Sequence, residues 1–132
     1  MGKGIIDSII NFFKRVWNFI KKIAVSIVSF FEHIVSWAQA VYKHLYQIFK
    51  EDIKNLDFVV IKESIEKNLK ENNYSEVNAG LNELKQYLIQ CAYNRRTGEI
   101  VDWENSARII SFNDLDEETK RAFKNKDMII LK

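Results

Sequence analysis

A chain of 132 residues that is 47% apolar and 13% aromatic can bury the core of one domain and is too apolar to be disordered. Its net charge of +2 conceals an asymmetry. Residues 1–50 carry seven Lys/Arg against Asp7 and Glu32, while residues 51–132 carry thirteen against sixteen Asp/Glu, so an anionic partner is favoured only at the first segment. Cys91 is the single cysteine, which excludes an internal disulfide and points to a buried structural thiol.

Gly4 to Lys50 contains no proline and no further glycine, so it holds no strong helix breaker. Placed at about 100° per residue, its large apolar side chains fall on one half of a cylinder. The expected membrane- or partner-docking residues on it are Ile9, Phe13, Val16, Trp17, Ile20, Ile27, Phe31, Ile34, Trp37, Val41, Leu45 and Ile48. Lys14, Arg15, Lys21 and Lys22 flank it, and only Val25 and Ala40 are out of phase. The spacing predicts one continuous helix of about 70 Å, with roughly 1,000 Å² of apolar surface to cover. Extra apolar residues move from one flank early (Ile5, Phe12, Phe19) to the other late (Val28, Val35, Tyr42, Phe49), which suits a broad contact and not a two-stranded coil.

Two targeting patterns arise within this segment. Lys21-Lys22, Ile23 to Phe31 and Ala38-Gln39-Ala40 loosely imitate a signal peptide, but Glu32-His33 interrupts the apolar run, so no cleavable signal is expected. Ile23 to Tyr42 has the length of a membrane span, yet a central Glu32 costs about 3 kcal/mol, and His33, Gln39 and three serines add to that. A lone span is not expected.

After Lys50, Asn55 and Asp57 allow a turn, and Phe58 to Ile61 suits helix or strand. Lys62 to Glu71 reads as helical, with Ile65 and Leu69 in register. Ser75 is the expected N-cap of a helix over Glu76–Gln90, whose stripe is Val77, Leu81, Leu84, Leu88 and Cys91. From residue 91 two strands are predicted, joined at Arg96-Thr97-Gly98-Glu99, with Gly98 supplying a positive φ. Ala107 to Phe112 is a third strand, Asp114 with Glu117 suggests a capping box on a short helix, and Met128 to Leu131 closes the sheet. The expected fold is α+β: a long N-terminal amphipathic helix, a shorter helical region packed on it, and a small C-terminal antiparallel or mixed sheet with one short helix. Residues 1–55 would be the docking helix and residues 56–132 the remainder of the same structural unit.

No catalytic signature is present. His33 and His44 lie eleven residues apart, too far for one helical metal site, and the carboxylates Glu51-Asp52, Asp102/Glu104 and Asp114 to Glu118 suit capping and solvation. Neither a phosphate-binding glycine loop nor a nucleophile elbow occurs. No enzymatic activity, cofactor, metal or small-molecule substrate is expected. Arg95, Arg96 and Arg108 near Tyr93 and Trp103 could form a basic aromatic platform, but this part is net acidic and nucleic acid is not expected as a partner.

The functional reading therefore rests on the long helix. Its apolar half would lie among acyl chains, with Lys14, Arg15, Lys21 and Lys22 on anionic headgroups and Trp17, Trp37 and Tyr46 at the interface. Residues 1–25, through GIIDSIINFFKRVWNFIKKIA, resemble membrane-active amphipathic peptides of the phenol-soluble-modulin kind. That resemblance implies membrane binding or permeabilisation, although such peptides lack the αβ part. The alternative is a structural protein whose long helix packs in a homo-oligomer or docks on a larger assembly. Small residues along the centre of the polar half (Ser29, Ser36, Ala40) would allow a second helix to approach. An oligomer, membrane-associated or cytoplasmic, is the expectation.

Overall fold

The computed structural model describes residues 2–64 and 86–131. Its order is α1 (Gly2–Arg15), β1 (Lys21–Val28), a π-helical turn (Phe30–Val35), α2 (Ser36–Phe49), a 3-10 segment (Lys50–Asn55), β2 (Leu56–Ser64), β3 (Gln86–Asn94), β4 (Glu99–Val101), α3 (Trp103–Ser106), β5 (Arg108–Leu115), α4 (Glu117–Phe123) and β6 (Met128–Leu131). The strands form one six-stranded mixed sheet in the order β1-β5-β3-β2-β6, with β4 beside the other end of β3. β1 runs parallel to β5, and the other pairs are antiparallel.

This α/β architecture overturns the expected α+β fold built on one helix from Gly4 to Lys50. The expected rod is cut at residues 16–29; helix resumes at the π-helical turn Phe30–Val35, which runs directly into α2. Val16 to Ile20 form a turn, with Phe19 and Ile20 amides bonded to the Val16 carbonyl, and Lys21 starts a strand. The reason is local and tertiary together. Ile23, Val25, Ile27 and Val28 are β-branched and stiff at χ1, which favours a pleated strand. In an extended chain Val25, out of phase on a helix, shares a face with Ile23 and Ile27. The backbone hydrogen bonds then go to β5, with Ile23 opposite Ile110 and Val25 opposite Phe112.

The second helical region is corrected as far as it is described. Lys62–Ser64 end β2 and Gln86–Gln90 open β3, so these ends of the predicted helices are strand. The rest, including Ile65, Leu69, Val77, Leu81 and Leu84, lies outside the described residues. Leu88 and Cys91, predicted on one helical stripe, instead face opposite sides of the sheet. The turn expected over residues 96–99 is present, between β3 and β4, with Gly98 at φ 73°. The cap of α4 is Asp116 and not Asp114: its carboxylate accepts from the Thr119 amide at 2.9 Å and the Thr119 hydroxyl at 2.6 Å.

Both faces of the sheet are covered, and side chains alternate between two cores. One core joins Ile9, Phe13 and Ile20 to Val59, Ile61, Tyr87, Ile89, Cys91 and Ile109. The other joins Ile34, Trp37, Val41 and Leu45 to Phe58, Val60, Leu88, Ile110 and Phe112. α1 and α2 therefore lie on opposite faces, the apolar stripe having been divided between them by β1.

Candidate docking edge

The predicted docking residues separate by burial. Ile9, Phe13 and Ile20 are buried under α1, Ile34, Trp37, Val41 and Leu45 are buried under α2, and Val16 and Trp17 are half-buried against the first core. Ile27, Phe31 and Ile48 stay exposed at 57%, 63% and 58%. Phe19, on the apolar flank of the helical reading, is the most open at 79%. Its exposure arises from the turn that ends α1, a feature the phase of a continuous helix conceals.

The predicted cations flank this turn. Lys22 Nζ lies 5.2 Å from the centre of the Trp17 ring and donates to the Trp17 and Ile20 carbonyls, closing the last turn before β1. Partial burial lowers its pKa from the usual lysine value. Arg15 lies over Phe12 at 5.5 Å, Lys14 is half-buried, and Lys21 is exposed.

β1 is the end strand of the sheet, and among the described residues its outer edge has no partner. One face of β1 carries Ile23 and Val25, both half-buried against the α2-side core, followed by exposed Ile27. The other presents Lys22, Ala24 and Ser26, all exposed. Natural edges are often blunted by lysine or shortness, and here Lys21-Lys22 guards only the first end of an eight-residue strand. The outer backbone groups from Ile23 onward offer a ladder for another strand.

The turn that follows is fixed from several directions. The Ser29 amide donates to His33 Nδ1 at 2.9 Å, and the Phe30 amide donates to Asp116 Oδ2 at 3.1 Å. The His33 carbonyl accepts from Gln90 Nε2 at 3.1 Å and from the Arg108 guanidinium, which also donates to Gln90 Oε1. Burial lowers the Arg108 pKa from its ordinary value. This network holds the end of β1 rigidly over the α2-side core.

His44 Nε2 and Ser106 Oγ both bind Asp102 Oδ2, at 2.9 and 3.1 Å, so the serine meets the carboxylate and not the imidazole that a nucleophilic triad requires. Among the described residues no group of three His, Cys, Asp or Glu could hold a metal ion. Arg95 is engaged by Asp57 and Arg108 by Gln90, while Tyr93 and Trp103 pack in the α1-side core. No described helix is long and apolar enough to cross a membrane.

Fold and edge thus define a mixed α/β protein whose end strand β1 has, among the described residues, no partner on its outer side. No family model, curated protein or solved structure matches the chain.

Proposed function

We propose that this chain is a non-enzymatic assembly protein that pairs β1 with β1 of a second copy, antiparallel, about a two-fold axis through Val25. A single observation supports the reading: Ile27 is 57% exposed on an end strand whose outer edge is unpaired among the described residues. A two-fold axis normal to the sheet keeps each face continuous, so residues of equal parity meet. Centred on Val25, Ile23 meets Ile27 of the second copy and Val25 meets Val25, joining the apolar rows. Lys22 meets Val28 and Lys21 meets Ser29, which keeps the lysines apart, whereas parallel pairing would oppose them. Each such cross-strand pair contributes about 0.2–1 kcal/mol.

Molar mass by light scattering across a concentration series tests the reading. The expected result is a dimer that dissociates on dilution, and Ile27→Lys or Val25→Lys should leave a monomer. Ile27→Lys alters an exposed side chain, so its thermal unfolding should match the parent at dilutions where the parent is itself monomeric. A mass that stays monomeric at about 100 µM, well above any micromolar dissociation constant, overturns the proposal. If that monomer co-sediments with anionic vesicles and Phe19→Ser with Lys21→Glu abolishes the association, a membrane surface takes the place of the second copy.

A further inference from the structure

A cleft of about 760 Å³ opens between α2, the 3-10 segment, β2, the β3–β4 turn and β6. That is the size range of small-molecule sites, which are mostly apolar with a few convergent polar groups. Ala38 and Tyr42 of α2, Phe58 of β2 and Leu131 of β6 contribute apolar walls. The Tyr42 and Phe58 rings lie 6.1 Å apart and tilted at 52°, and Tyr42 stacks on Tyr46, which holds the phenol at the rim.

The charged groups of the cleft are gathered in one cluster. Arg95 Nη1 donates to Asp57 Oδ1 at 3.0 Å, Arg95 Nη2 donates to the Lys54 carbonyl, and the Arg95 amide donates to the Asn55 carbonyl at 2.9 Å. Asp57 is nearly buried and balances Arg95, whose side chain remains 49% exposed. Lys54 also lines the cleft, and among the described residues it has no carboxylate partner. Two cations against one carboxylate leave this end positive, beside walls that are mostly apolar.

We infer that this cleft binds a small amphiphilic anion, a carboxylate with an apolar tail. Its head meets the Lys54 ammonium and the open side of the Arg95 guanidinium, and its tail lies against Ala38, Tyr42, Phe58 and Leu131. The fixed Asp57–Arg95 pair presents the guanidinium in one orientation, so little side-chain freedom is lost when the anion binds. The inference is independent of strand pairing at β1, because none of these residues belongs to that edge.

Calorimetric titration of the full chain with dodecanoate, dodecanol and dodecyltrimethylammonium, each below its aggregation concentration, provides the test. Dodecanoate should bind at least about tenfold more tightly than the other two, as a charge-assisted contact requires. Lys54→Glu inverts the local charge at an exposed position and should weaken dodecanoate about tenfold, whereas Arg15→Glu, exposed on α1 at the opposite face of the sheet, should leave it unchanged. Ala38→Phe should fill the cleft and remove binding of the tail. Equal affinity for the three amphiphiles, or a Lys54→Glu variant that binds dodecanoate like the parent, overturns the inference.

Discussion

The indole Nε1 of Trp37, on α2, donates a hydrogen bond of 2.8 Å to the carbonyl of Ser106, the last residue of α3, in a buried setting. The bond joins the helix that follows β1 to the segment that precedes β5, and so supports the pairing of the two strands. Trp37→Phe keeps most of the ring volume but leaves the carbonyl without its donor. A loss of about 1–3 kcal/mol in urea unfolding is expected.

Division of the apolar stripe between two cores makes neighbouring phenylalanines differ sharply. Phe13 is 1% exposed and Phe19 is 79% exposed. Phe13→Ala should cost about 3–5 kcal/mol, whereas Phe19→Ala should fall within about 0.5 kcal/mol. Equal effects in chemical denaturation would contradict the division.

Two helices end on strained lysines. α2 stops at Lys50 (φ 53°, ψ −125°) and α4 at Lys124 (φ 54°, ψ −123°), a backbone region that suits glycine. Strain of about 1–3 kcal/mol at such a position exceeds the roughly 0.5–1 kcal/mol that glycine adds to unfolded-chain entropy. Lys50→Gly and Lys124→Gly should each raise stability by up to about 1 kcal/mol, read as an increased melting temperature.

Asp116 links α4 to the turn after β1, and its protonation should register in stability. Desolvation pushes its pKa up, but hydrogen bonds from the Thr119 hydroxyl, the Thr119 amide and the Phe30 amide, with His33 nearby, outweigh that and hold it below the ordinary value. A depressed folded pKa gives stability that is present above the unfolded pKa and lost as pH falls through the folded one. Asp116→Ala should cost about 0.5–2 kcal/mol near neutrality. The part of that cost owed to charge should be lost as pH falls through the lowered folded value, so the gap in urea midpoint between parent and variant should narrow as the solution is acidified below the ordinary carboxylate range.

Some of the architecture was legible because it depends on neighbours in sequence. Gly98 marks the β3–β4 turn because few other residues adopt φ 73° without strain, and Met128 to Leu131 reads as a strand from its own apolar run. The docking edge was legible only in negative, through Val25, whose place off the helical phase is the trace of a period-2 segment. Over eight residues, apolar side chains at Ile20, Ile23, Ala24 and Ile27 satisfy a helix as well as Ile23, Val25 and Ile27 satisfy a strand, so periodicity alone cannot choose.

By itself, the sequence determined how much apolar surface must be hidden, where its basic excess lies and which short turns it can make. Tertiary structure alone decided that Lys21–Val28 is extended, because the hydrogen bonds that settle it come from Arg108–Leu115, more than eighty positions away. That distant pairing sent the two ends of the apolar stripe to opposite faces of the sheet and left Ile27 uncovered at its edge.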